Sequence, residues 1–183
     1  MSRLLRTACL TGIAIASGVV PALAHHPMGG ATPVTFLQGL LSGFGHPVLG
    51  LDHLAALVVV GLLASRAGRG WFLLPSAWIA AMGAGVFAHL GAINLPGAEF
   101  LVAGSLVAIA LIAVVLPALS PAVVGPVFAI GGFAHGHALA ESIIGAEPMP
   151  MTAYLVGLVV VQSAVTTAVA IAARHLFPVA EDV

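Results

Sequence analysis

Residues 45–65 read GHPVLGLDHLAALVVVGLLAS. From Leu54 to Ala64 every residue is apolar or glycine, yet the head of the stretch carries His46, Asp52 and His53. A helix needs roughly 20 apolar residues to cross the hydrocarbon core of a bilayer, and this segment is long and greasy enough to do so. A carboxylate facing lipid costs about 2.5–3.5 kcal/mol on insertion scales. The three ionisable groups should therefore face the interior of a helix bundle and find partners there. The rest of the chain supports a membrane reading. Of its 183 residues, 61% are hydrophobic and only 6% are charged, and the mean hydropathy is +1.17. A soluble domain cannot be covered with so little polar surface. The five basic residues are all arginine, with no basic patch to meet nucleic-acid phosphates. Eight histidines outnumber them, which makes histidine the residue to follow. Cys9 is the only cysteine, so an internal disulfide, a CxxC zinc site and an iron–sulfur cluster are all excluded.

The first residues, MSRLLRTACLTGIAIASGVVPALAHH, place Arg3 and Arg6 before an apolar stretch that ends in Ala22-Leu23-Ala24. That pattern predicts a secretory signal peptide, residues 1–24, cleaved after Ala24; the competing reading is an uncleaved first helix. Cleavage would leave His25 and His26 beside a free α-amine. Such an end could capture a metal ion, or could equally be a polar terminus with no role. The remaining residues, 25–183, read as a single all-α transmembrane domain. Five spans are expected, at about 46–65, 71–93, 98–117, 121–145 and 150–174. Residues 34–45 are apolar but too short to cross, and read as a half-helix before the first span. With the mature N-terminus outside, Arg66, Arg69 and Arg174 all fall on the cytoplasmic side, as the positive-inside rule requires. Gly132 and Gly136, with Gly83 and Gly85 in the second span, form small-residue faces suited to close helix packing. Such faces serve a monomer or a homo-oligomer equally.

Two groups of intramembrane ionisable residues carry the chemistry. His46 and His53 are seven apart, on one helix face two turns from each other, with Asp52 adjacent. In GGFAHGHALAESI (131–143), His137 and Glu141 are four apart on one face, and His135 lies on a neighbouring face. Imidazoles with carboxylates form a ligand set for a divalent first-row metal ion. The carboxylates would offset the charge of a dication in low dielectric. Buried Asp–His and His–Glu hydrogen-bonded staples, or a proton relay, would use the same residue types. His89, near the outer end of the second span, is a lone histidine; such a residue is more often packed on a carbonyl than a ligand. Glu99 and Glu147 read as solvated loop charges, and Met28, Met149 and Met151 as ordinary apolar positions before they read as soft ligands.

HPVLGLDH (46–53) resembles the HPxxGxDH signature of the HupE/UreJ family of membrane permeases. FAHGHALAE (133–141) resembles that family's second motif, FHGxAxGxE or FAHGHAHGxE. His46, Asp52 and His53 match the first motif, and His135, His137 and Glu141 are taken to match the second. Leu139 stands where some members have a further histidine, and Ala140 where glycine is usual. The resemblance implies a multi-pass permease of the bacterial inner membrane that takes up Ni2+, with Co2+ as the alternative cargo, for hydrogenase or urease maturation. The metal would be a transported ligand, with no catalytic cofactor. The chain contains no GxxxxGK[ST], so ATP is not its expected energy source. A membrane-embedded metallohydrolase is the enzymatic rival, though HExxH is absent; an accessory membrane subunit is the structural one.

Overall fold

The computed structural model describes residues 31–67, 70–115 and 121–177. The expected signal peptide, His25, His26, Met28 and Arg69 lie outside these residues. The described chain is helical, with no strand among the described residues: α1 Phe36–Leu49, α2 Leu51–Arg66, α3 Leu73–Leu90, α4 Ala98–Val115, α5 Pro121–Leu139, a 3-10 turn Ala140–Ile143, and α6 Pro148–Leu176. Four helical stretches are long and apolar enough to cross a membrane: α3, α4, Val123–Ile143 and α6. The pair α1 and α2 adds a fifth when taken as one broken span, bent by 76°.

The start and the end of α1 follow from local chemistry. Thr35 caps it: its hydroxyl accepts the Gln38 backbone N–H at 3.2 Å, and Gln38 Oε1 accepts the Thr35 N–H at 3.2 Å. This reciprocal pair satisfies two backbone donors that the first turn leaves open. At the other end Pro47 lies inside α1, where its missing N–H removes a bond to the carbonyl four residues back. The helix ends two residues later at Leu49, and Gly50 follows in extended conformation (φ −73°, ψ 103°). The break therefore falls at Gly50, between the two halves of the HPVLGLDH motif, and Pro47 closes the first helix instead of opening the second.

Glycine sets the helix spacings. A methyl group on Gly39 would land on the Pro150 carbonyl oxygen, and one on Gly43 on the Tyr154 carbonyl oxygen. Gly157 faces back at them, where an added Cβ would stand 2.7 Å from the Leu40 carbonyl oxygen. Thus α1, too short to span, is held by its backbone against α6. The same device joins α3 to α5, where Gly136 abuts the Met82 carbonyl and Gly85 that of Phe133. Gly132 and Gly136 are used as expected; Gly83 has open space beside it and belongs to neither contact. Helix α2 packs on α6 and α4, and α4 on α5. Leu63, Val60, Trp78, Ile109 and Phe128 fill the centre of the bundle, with Trp78 and Phe128 edge-on at 5.4 Å.

The described arginines gather at one end. Arg66 Nη1 donates to the Ala113 carbonyl at 2.8 Å. Arg174 donates through Nη2 to the Ala67 carbonyl at 2.5 Å and through Nε to that of Ser65 at 3.3 Å, and its guanidinium lies 5.3 Å over the Trp71 ring. The 3-10 turn and Glu147 lie at the other end. Large apolar side chains such as Phe100 (83% exposed) cover the outside. Such a surface suits lipid, where helices satisfy their own backbone polar groups.

Candidate functional site

The break at Gly50 builds the site. In a straight helix His46 and His53 would stand about 10.5 Å apart along the axis. The bend folds the end of α1 over the start of α2, and the two rings meet edge-on with centroids 5.8 Å apart. The two-turn separation expected for one continuous helix is thus replaced by direct contact. His135 comes in from α5: its Nδ1 lies 2.8 Å from His53 Nδ1, and the ring centroids are 5.0 Å apart. The Trp78 indole covers the His135 ring at 5.2 Å. All three imidazoles are buried. Asp52 is half-buried in the first turn of α2, where its Oδ1 accepts the His53 backbone N–H at 2.8 Å. Gly50 is tightly enclosed by the residues it positions. A Cβ there would come within 2.8 Å of the His53 ring and 3.3 Å of the Asp52 carboxylate.

His46 is oriented by two hydroxyls. Its Nδ1 lies 3.1 Å from the Tyr154 hydroxyl and 3.2 Å from Ser142 Oγ. Tyr154 donates its single proton to the Leu139 carbonyl at 2.6 Å. Its oxygen can then only accept, which makes His46 Nδ1 the donor and puts the ring's lone pair on Nε2. Fixing one imidazole nitrogen by a hydrogen bond so that the other can bind a cation is the usual arrangement around ligating histidines.

The second expected cluster is divided. Glu141 is exposed and does not join His46, Asp52 and His53. The α-helix ends at Leu139 and continues as a 3-10 turn, with three residues per turn instead of 3.6, so the four-residue spacing from His137 no longer keeps one face. Counted from His135, the glutamate of the motif that FAHGHALAE resembles falls at 142, which is serine here. Ser142 is the residue that reaches His46, and Glu141 stands one position early.

His137 turns away from His135 toward α3, where it stacks on His89 with centroids 3.9 Å apart and planes 20° apart. His89 Nδ1 donates to the His137 carbonyl at 2.6 Å. His137 Nε2 donates to the Ile93 carbonyl at 3.0 Å, leaving a buried Nδ1 without a hydrogen bond. That carbonyl follows Ala92, whose positive φ of 60° is a strained conformation for a residue with a Cβ.

A cavity of about 10 Å³ borders His53, His135, Trp78, Met82 and Gln162, the room of roughly one water molecule. Two nitrogens bound to one ion at about 2.0–2.1 Å stand roughly 2.9–3.4 Å apart for right-angled to tetrahedral geometry. The His53–His135 separation of 2.8 Å is that of a hydrogen bond, one Nδ1 donating and the other accepting, and it is close enough to that range for an ion to take the place of the shared proton. Among the described residues, no three His, Cys, Asp or Glu side chains are grouped to hold a metal ion. The surrounding groups, Trp78, Met82, Ser142, Tyr154 and Gln162, are ones that motif reading passes over. Gln162 and Tyr154 carry a usable signal: each is a large polar side chain in a membrane-length helix whose other mid-span polar residues are only Ser and Thr.

Membrane-length helices, a broken first span and buried imidazoles gathered at its break define an integral membrane protein with a polar site inside the bundle. The chain belongs to the HupE / UreJ protein family, whose pattern it matches over residues 13–182. This family is associated with nickel and cobalt transport in hydrogenase and urease maturation. Protein HupE of Rhizobium leguminosarum bv. viciae is 31% identical over 124 residues, a stretch that covers 67% of this chain and 62% of that relative. No solved structure matches the chain.

Proposed function

We propose that the protein is a secondary permease for a divalent transition-metal ion, with Ni2+ as the first cargo and Co2+ as the second, in the bacterial inner membrane. The observation that carries this reading is the convergence of His46, His53 and His135 at the break of the first span. The ion enters at the end of the bundle that bears the 3-10 turn, taken as periplasmic. It meets the His89–His137 pair and the His46 mouth, is held between His53 and His135 beside Asp52, and leaves at the arginine-rich, cytoplasmic end. His25 and His26 are proposed as an outer capture point. The membrane potential is a sufficient energy source: about 2.3 kcal/mol per charge per 100 mV gives a dication roughly 4.6 kcal/mol, or accumulation on the order of a thousandfold. A histidine-based site with no thiolate binds loosely enough to empty.

Cellular nickel uptake tests the reading. His53→Ala and His135→Ala proteins that reach the membrane in normal amount are expected to lose at least nine-tenths of parental uptake. Parental uptake by both variants would overturn the central site. Loss of membrane-inserted protein with unchanged uptake per molecule would favour the accessory-subunit reading.

A further inference from the structure

The His53–His135 pair supplies two donors, and an ion held there needs others. The cavity beside the pair is bordered by Met82 from α3 and Gln162 from α6, which are 2% and 1% exposed. A glutamine buried in the middle of a membrane helix is expensive unless its amide is fully bonded. Here the amide lies in close contact with the Met82 sulfur, Nε2 to Sδ at 2.6 Å, a weak acceptor that leaves the amide poorly bonded, and Oε1 has no partner. A glutamine that served only to tie helices together would present its oxygen to a hydrogen-bond donor. Instead its one bond turns the amide toward a thioether, and both side chains border the cavity that the two imidazoles share.

Resting on the permease reading, we propose that Met82 Sδ and Gln162 Oε1 are direct ligands of the transported ion. With His53 and His135 they make a neutral N2SO set that determines which ions pass. Imidazole donors suit Ni2+ along with copper, zinc and iron, and a thioether is a soft donor, whereas Mg2+ and Mn2+ prefer oxygen ligands; the set excludes the hard ions and leaves choice among the softer ones to supply. Mg2+ also gives up its water reluctantly, and the cavity has no room for a hydrated ion. Asp52, beside His53, offsets the charge that this neutral set leaves uncompensated.

The test uses the purified full-length protein in lipid nanodiscs, loaded with Ni2+ alone. X-ray absorption is expected to show a sulfur neighbour beside the imidazole nitrogens. In Met82→Leu, which nearly conserves volume, the sulfur signal disappears and the nitrogens remain. Affinity for Ni2+ should fall about 10- to 100-fold in both Met82→Leu and Gln162→Leu, the scale of loss when a partner of a metal site is removed. In Gln162→Glu, Ni2+ binding is retained and Mn2+ begins to compete. A parent spectrum without sulfur, or parental Ni2+ affinity in both leucine variants, overturns the proposal. His53→Ala separates the two levels. If it loses Ni2+ binding while the Met82 and Gln162 variants keep it, only the ligand assignment falls. If it too binds like the parent, the permease site itself falls.

Discussion

At the scale of single residues, the site is built from neighbours that do not ligate. Tyr154 is the chain's only tyrosine, and it ties the start of α6 to the Leu139 carbonyl while fixing the His46 tautomer. Tyr154→Phe removes the nearer of the two acceptors for His46 Nδ1, leaving Ser142 Oγ, without emptying the space. It should lower nickel uptake about tenfold or more, measured in cells at subsaturating Ni2+ and normalised to membrane-inserted protein. Glu141 gives the opposite expectation. Exposed, and one residue out of register with the family's acidic position, it contributes nothing to the gathered imidazoles, so Glu141→Gln should transport nickel like the parent. A large loss in that variant would mean that Glu141 swings inward during the cycle. His46, Asp52, His53 and His135 stand out as candidates by residue type and spacing alone. The one-residue offset of Glu141 can be counted in the sequence, but which side chain faces inward depends on where an α-helix tightens into a 3-10 turn, and no side chain announces that point.

At the scale of elements, two backbone-to-backbone seams, α1 on α6 and α3 on α5, hold the site's walls. The second is the more consequential, since Met82 and His135 stand on its two sides. Gly136→Val would drive a side chain into the Met82 carbonyl. Overpacking of this kind costs about 1–3 kcal/mol, and thermal unfolding in detergent should shift down by several degrees. Uptake should fall with it, because the wedge separates His135 from Met82. The helices themselves were legible from hydropathy, and the seam on α5 from the spacing of Gly132 and Gly136. The bend was not. In a span that begins near residue 46, Pro47 stands in the first turn, where its missing donor is harmless; only the continuation of α1 through His46 and Pro47 to Leu49 shows that it ends a helix instead. That single difference turns two distant histidines into neighbours, so the chain's composition revealed the site's members but not their grouping. His89 illustrates the reverse case. It read as a lone packed histidine, and its partner His137, almost fifty residues later, is joined to it only by the approach of α3 to α5.

At the scale of the whole molecule, polarity is sorted along the bundle. The described arginines close one end with hydrogen bonds to helix-terminal carbonyls, with His175 beside them, and the other five described histidines occupy the other half. Helix α6, with 29 residues, is about 43 Å long and exceeds the ~30 Å hydrocarbon core, so both of its ends reach water. The proposed orientation can be read from them. With an impermeant thiol reagent added to intact cells whose outer membrane is permeabilised, Glu147→Cys in a Cys9→Ser background should label and His175→Cys should not. The reverse pattern would invert the topology and the direction of transport with it.

The break at Gly50 has one more consequence, and it concerns the backbone. Where α1 stops and α2 starts, the carbonyl end of one helix dipole meets the amide end of another, each equivalent to roughly half an elementary charge. The carbonyl end of α1, at Pro47–Leu49 beyond the His46 carbonyl that Gly50 N–H occupies, is the end that attracts a cation, and half-helix ends of this kind coordinate ions in other transporters. The amide end of α2 steadies the Asp52 carboxylate. A helix running unbroken through residues 36–66 would spend these same peptide groups on internal hydrogen bonds. By stopping at a glycine, the chain gains an electrostatic well in the membrane interior without placing a further charged side chain there.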